Sequence, residues 1–93
     1  MSRRKLSDEE IAERAKELSE WKVDGIKLRR RFEFENFATA LEFVNKAGDI
    51  AEAADHHPDI TFGWGYAEFE LTTHDTGGLT ELDFAVAGRI DQL

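Results

Sequence analysis

All three histidines of the 93-residue chain lie between positions 56 and 74: His56 and His57 directly before the only proline, Pro58, and His74 beyond them. Imidazole gives and takes protons near neutrality, because its unperturbed pKa is about 6.5. Two or three such rings at one point suit proton-transfer chemistry. Pro58 biases His57 away from helical geometry, so that the pair can bend toward one pocket at a helix end. Glu52 lies one helical turn before His56, where it can accept a hydrogen bond from the ring and fix its tautomer. A helix C-terminus and a nearby carboxylate both favour a protonated imidazole. Two other readings fit the same spacing. A histidine before a proline at a helix end commonly serves as a cap or surface residue. Alternatively, His56, His57 and His74 with Glu52 or Asp55 can supply metal ligands, although adjacent histidines ligate less often than i, i+4 pairs and no HExxH pattern is present.

The elements that must hold these residues are legible in the hydrophobic pattern. Ser7 with Glu10 three residues on is a capping-box pattern, and Ile11, Ala15 and Leu18 continue it at helical spacing. Trp21 and Val23, then Leu28, Arg30, Phe32 and Phe34, alternate around Asp24-Gly25 and predict a hairpin. From Asn36 to about Asp55, Phe37, Ala40, Leu41, Val44, Ala47 and Ala51 follow a 3.6-residue period, predicting a long central helix that Pro58 cannot extend. Ile60, Phe62 and Trp64, then Ala67, Phe69 and Leu71, predict a second hairpin around Gly65. Thr80 and Asp83 form a further capping-box pattern ahead of Leu82, Val86, Ile90 and Leu93. The order is αββαββα: an α+β single domain over residues 1–93, with a four-stranded antiparallel sheet and three helices on one face. The open sheet face is expected to carry Tyr66, Glu68, Glu70 and Thr72, with His74 in the same register if the chain stays extended.

Composition narrows the function. Hydrophobic residues make up 41%, including seven Phe and two Trp, enough for one core. The formal net charge of -8 argues against direct contact with a nucleic-acid backbone, which needs Lys and Arg against phosphate. Arg29-Arg30-Arg31 reads as a solvated strand segment rather than a phosphate groove. The absence of cysteine excludes disulfides and thiolate metal sites and suits a reducing compartment. The N-terminal segment lacks the apolar block of a signal peptide, and no span reaches membrane length, so a cytoplasmic protein is expected.

Five separated fixed points run in order: Glu52, His56-His57-Pro58, aromatic Trp64, His74 and Asp83. In these the sequence resembles the pterin-4a-carbinolamine dehydratases, also called 4a-hydroxytetrahydrobiopterin dehydratases. Trp21 and the segment FEFENFATALEFV extend the resemblance over nearly the whole chain. Ile60 departs from it, since many members carry tryptophan there. The resemblance implies loss of water from 4a-hydroxytetrahydropterin to give quinonoid dihydropterin, in recycling of the pterin cofactor of aromatic amino acid hydroxylases. It implies His56, His57 and His74 as the catalytic residues, with His56 and His74 as the acid/base pair and His57 holding the pterin. Neither a metal nor an organic cofactor is implied. Glu52 would orient His56, and Asp83 would combine helix capping with support of the His74 side. Asp55, Pro58, Trp21, Thr72 and Thr73 are supporting or substrate-binding candidates, although strand threonines usually satisfy β propensity alone. For Trp21 and Trp64 core packing competes with a pocket-wall role, and for Trp64 it is the expected fate. A homo-oligomer, dimer or tetramer, is implied. The alternative from another class is a non-catalytic dimerisation cofactor of a transcription factor, working by helix-to-helix contact.

Overall fold

A computed structural model of the chain describes residues 3–93; the first two residues of the expected 1–93 domain lie outside the described residues. Helix α1 (Asp8–Ala15) begins at Ser7, whose Oγ accepts from the Glu10 amide while the Glu10 carboxylate accepts from the Ser7 amide, so the capping box is complete. Arg4 adds two bonds to the same carboxylate, and these contacts hold Glu10 down to a pKa of about 2. The helix stops at Ala15, and Leu18 lies in the turn beyond it.

Strands β1 (Lys22–Asp24) and β2 (Lys27–Glu33) form the first hairpin, closed by Asp24↔Lys27 with Gly25 at φ 62°. Helix α2 (Phe37–Ala54) crosses to β3 (Asp59–Gly63) and β4 (Tyr66–Leu71), and α3 (Glu81–Asp91) follows a short 3-10 turn, His74–Thr76. The sheet order is β1-β2-β4-β3, antiparallel throughout, so β2 and β4 are central and β1 and β3 are the edges. The expected α+β single domain with a four-stranded antiparallel sheet and three helices is the observed one. No helix among the described residues is long and apolar enough to cross a membrane.

Alternation decides the two sheet faces. Leu28, Phe32, Ala67, Phe69 and Leu71 face the helices and pack with Ala47, Phe84, Val86, Ala87 and Ile90. The opposite face carries cross-strand rows of charge: Lys22, Arg29, Glu70 and Asp59 in one register, Arg31, Glu68 and Thr61 in the next. Arg29 pairs there with Asp24 and Glu70. Arg30 sits in the core-facing register yet is satisfied, because its guanidinium lies 4.1 Å over the Phe32 ring and bonds Asp91 at 2.8 Å.

Both tryptophans have clear positions. Trp21 is buried, edge-on to Phe32, and its indole N–H donates to Asp91 at 2.7 Å. The expected core position of Trp64 is corrected: at 72% exposure it occupies the two-residue turn between Gly63 and Tyr66, because β3 ends one residue earlier than its alternation suggests. Gly65, at φ 82°, supplies the left-handed geometry of that turn. The last helix also ends early, leaving Leu93 exposed beyond Asp91.

Candidate functional site

The end of α2 places the paired histidines on opposite sides of the surface. Asp55 adopts the left-handed conformation (φ 49°, ψ 43°), its amide donates to Glu52 O at 3.2 Å, and the His56 amide donates to Ala51 O at 3.1 Å. These are the two backbone bonds of a Schellman ending, which reverses the chain before Pro58 is reached. His56 therefore turns inward and is buried, while His57 emerges on the exposed side.

The reversal corrects the expected Glu52–His56 contact. An i, i+4 pair requires helical geometry at both ends, and His56 lies past the reversal. Glu52 bonds His57 instead, through Oε2 and Nε2, with both side chains more than half exposed. The carboxylate partner of His56 comes from across the molecule: Asp83 Oδ1 lies 2.6 Å from His56 Nε2.

Asp83 stands at the third position of α3 and is 0% exposed. Its Oδ2 accepts the Thr80 amide and the Thr73 hydroxyl, each at 2.9 Å. Helix capping is thus real, as the sequence pattern requires, but it occupies only one oxygen. The other oxygen fixes the His56 ring. A carboxylate has only acceptors, so His56 Nε2 carries a proton toward Asp83, and in the neutral ring Nδ1 is the basic nitrogen. The positive end of α3 adds to the favourable surroundings of the Asp83 charge. Among the described residues no buried side-chain nitrogen or oxygen is without a partner.

His74 opens the 3-10 turn after Thr73, which bridges Gly78. It is exposed, and among the described residues no hydrogen bond joins it to His56 or His57. Its link to the site runs through the chain: its neighbour Thr73 holds Asp83, which holds His56. Asp83 therefore holds His56 directly and reaches the His74 side, expected from sequence, only through Thr73. The open-face register does not reach His74 either. Thr72 is already buried, with its hydroxyl donating to Ile26 O at 2.6 Å, and the chain then coils. The open face does hold a concavity of about 660 Å³, lined by residues including Arg29, Arg31, Asp59, Glu68 and Glu70 but by none of the histidines.

The other candidates fall into place around this geometry. Asp55 is exposed and acts as the pivot of the helix ending, while Pro58 leads into β3 through a trans peptide. Trp21 meets α3 at Asp91, eight residues and so about 12 Å along the helix from Asp83. Thr80, read from sequence only as a helix cap, is 0% exposed, and its hydroxyl lies 2.8 Å from that of Thr73. Its N-cap position was the available signal; its second contact depends on the loop that the Thr73–Gly78 bridge closes. Among the described residues no group of three or more His, Asp or Glu side chains converges where one metal ion could be held.

The pivot carries its own prediction. A left-handed non-glycine residue costs roughly 1 kcal/mol, less for Asp than for most. Asp55→Gly is expected to stabilise the fold by about 0.5 kcal/mol in a denaturant titration. A loss of stability in that titration would mean that the Asp55 side chain makes a contribution beyond the turn.

Comparison with known proteins adds independent information. Residues 4–93 match the family model described as pterin 4 alpha carbinolamine dehydratase. A protein of Rubrobacter xylanophilus, named "Putative pterin-4-alpha-carbinolamine dehydratase", is 51% identical over 89 residues, covering 95% of this chain and 83% of its own. One of Picosynechococcus with the same name is 52% identical over 90 residues, covering 96% and 97%. Among solved structures, a transcriptional coactivator/pterin dehydratase from Brucella melitensis superposes with a TM-score of 0.90 at 34% identity, covering 96% of this chain and 97% of that one. A pterin dehydratase-like protein described as a RuBisCO assembly factor in the alpha-carboxysome gives 0.63 at 27% identity, covering 77% and 83%.

Proposed function

The chain belongs to the pterin-4-alpha-carbinolamine dehydratase family, and on that premise we propose that it removes water from 4a-hydroxytetrahydropterin by histidine acid/base catalysis. The observation that carries the reading is the buried Asp83–His56 pair beside the exposed Glu52–His57 pair at one helix ending. The reaction needs two proton movements. The hydroxyl at C4a takes a proton and leaves as water, the N5 lone pair forms the new C=N bond, and the N5 proton is lost to a base, giving quinonoid dihydropterin. Imidazoles supply both movements, so the reaction calls for no metal or organic cofactor.

In this reading His56 and His74 are the acid/base pair. His56 is the better-defined partner, because Asp83 holds its ring and leaves Nδ1 as the acceptor. His57, bonded to Glu52 at the surface, holds the pterin and assists departure of the hydroxyl. The physiological setting proposed is cytoplasmic recycling of the pterin cofactor of aromatic amino acid hydroxylases. The full 1–93 chain would act there as one domain of a homo-oligomer, dimer or tetramer, a state favoured by the unpaired outer edges of β1 and β3.

The test is the rate at which purified protein dehydrates freshly generated 4a-hydroxytetrahydropterin, followed by ultraviolet absorbance with and without chelator. Acceleration that survives chelator is the expected result; a folded protein that gives no acceleration overturns the reading. The Brucella relative's name also contains a coactivator role, and the structure exposes Trp64, two residues after Phe62, and Phe37, which stacks on Phe62. Protein binding as a non-catalytic dimerisation cofactor is therefore the second reading, and it predicts a change of assembly mass on adding a partner.

A further inference from the structure

Thr73 and Thr80 are threonines beside a histidine site, and their protons can be counted. Thr73 is 1% exposed and Thr80 0%, so neither hydroxyl reaches a ligand from solvent. The Thr73 hydroxyl has one proton, and Asp83 Oδ2, a pure acceptor, lies 2.9 Å from it. Thr80 Oγ accepts the Leu82 amide at 3.2 Å and lies 2.8 Å from Thr73 Oγ. With the Thr73 proton committed to Asp83, the proton between the two hydroxyls must come from Thr80. The direction is therefore fixed: Thr80 donates to Thr73, Thr73 to Asp83, and His56 Nε2 to the other oxygen of Asp83.

We infer that Thr73 and Thr80 are positioning residues for His56, acting through Asp83 to keep Nε2 protonated and Nδ1 free, and that Thr73 does not contact the pterin. The inference rests on the dehydratase reading for its catalytic consequence, whereas the tautomer can be measured without substrate. The chain of donors has a physical reason to matter. Oδ2 is saturated by one amide and one hydroxyl, so the carboxylate cannot rotate toward other partners, and Oδ1 remains aimed at the ring. Thr73 also begins the turn that carries His74, so one buried hydroxyl lies between both members of the proposed acid/base pair.

The experiment compares wild type, Thr73→Val and Thr73→Ser by ¹⁵N NMR of the histidine rings and by steady-state dehydration kinetics. Valine keeps the shape and removes the donor; serine keeps the donor. In wild type the His56 signals are expected to show the Nε2-protonated tautomer, with slowly exchanging hydroxyl protons at Thr73 and Thr80. Thr73→Val is expected to mix the tautomers and lower kcat about tenfold with KM nearly unchanged, the loss expected for one hydrogen bond to a charged group. Thr73→Ser is expected to restore both. A wild-type His56 protonated on Nδ1, or a folded Thr73→Val protein with an unchanged tautomer, overturns the inference. If valine prevents folding, the wild-type tautomer and hydroxyl protons still decide it. A correct tautomer and relay in a wild type without dehydratase activity would instead overturn the functional reading and leave the positioning geometry standing.

Discussion

Asp83→Asn is expected to lower kcat for pterin dehydration by about 10²- to 10⁴-fold, the usual range for loss of a general acid or base, while the protein remains folded. The reason lies in the donors around Asp83. Thr73 and Thr80 both present protons to one side of the carboxyl group, so the amide oxygen must settle there. The amide NH₂ then faces His56, where the aspartate offered an acceptor at 2.6 Å. His56 Nε2 can satisfy that donor only by giving up its proton, which moves the proton to Nδ1 and removes the basic nitrogen from the site. Loss of the charge interaction is expected to cost about 1–3 kcal/mol of stability, measurable by denaturant titration. Asp83→Ala should be worse for the fold, since it strands the Thr73 hydroxyl, the Thr80 amide and the His56 ring in a buried site. An Asp83→Asn enzyme with kcat within twofold of wild type would detach the Asp83–His56 pair from catalysis.

His57→Ala is expected to separate activity from stability more cleanly. The His57 side chain is 53% exposed and its partner Glu52 78% exposed. A pair so open to water contributes little to folding, about 0–1 kcal/mol, because solvent screens it and both side chains lose freedom in forming it. The rate should nevertheless fall by about 10²-fold or more if His57 holds the pterin and helps the hydroxyl leave. Measuring kcat, KM and the thermal midpoint together tests this. Near-normal turnover would remove His57 from the site, whereas a collapse of the fold would give the exposed pair a structural role that its exposure does not suggest.

Local regularities made most of the fold legible in the sequence. Two helix starts were announced by side chains that cap their own backbone, Ser7 with Glu10 and Thr80 with Asp83; α2 was announced by its period, and its cap at Asn36 emerged in the structure. Period-two alternation gave both hairpins and the face of each strand, and it failed only where an element ended. Trp64 continued the alternation but stood in the turn, and Leu93 continued the helical period but stood beyond the helix. Element ends are set by backbone turns, which the hydrophobic period does not report.

The residues of the candidate site were singled out by the family resemblance that Glu52, His56-His57-Pro58, His74 and Asp83 carry, since their spacing alone also fitted capping and metal ligation. Their pairing was not. Which carboxylate meets which histidine depended on one residue, Asp55, whose left-handed backbone exchanged the expected Glu52–His56 contact for Glu52–His57. It also depended on α3 docking against the end of α2, which brought Asp83 to His56 across 27 positions of sequence. The sequence by itself therefore determined the elements and the chemical inventory, because capping and periodicity act over a few neighbouring residues. Only the tertiary structure decided the partner and the burial of His56, because these arise where segments far apart in sequence meet. It also decided the direction of the Thr80–Thr73–Asp83 donors, because the folded loop between Thr73 and Asp83 buries all three groups and leaves no other place for a proton to go.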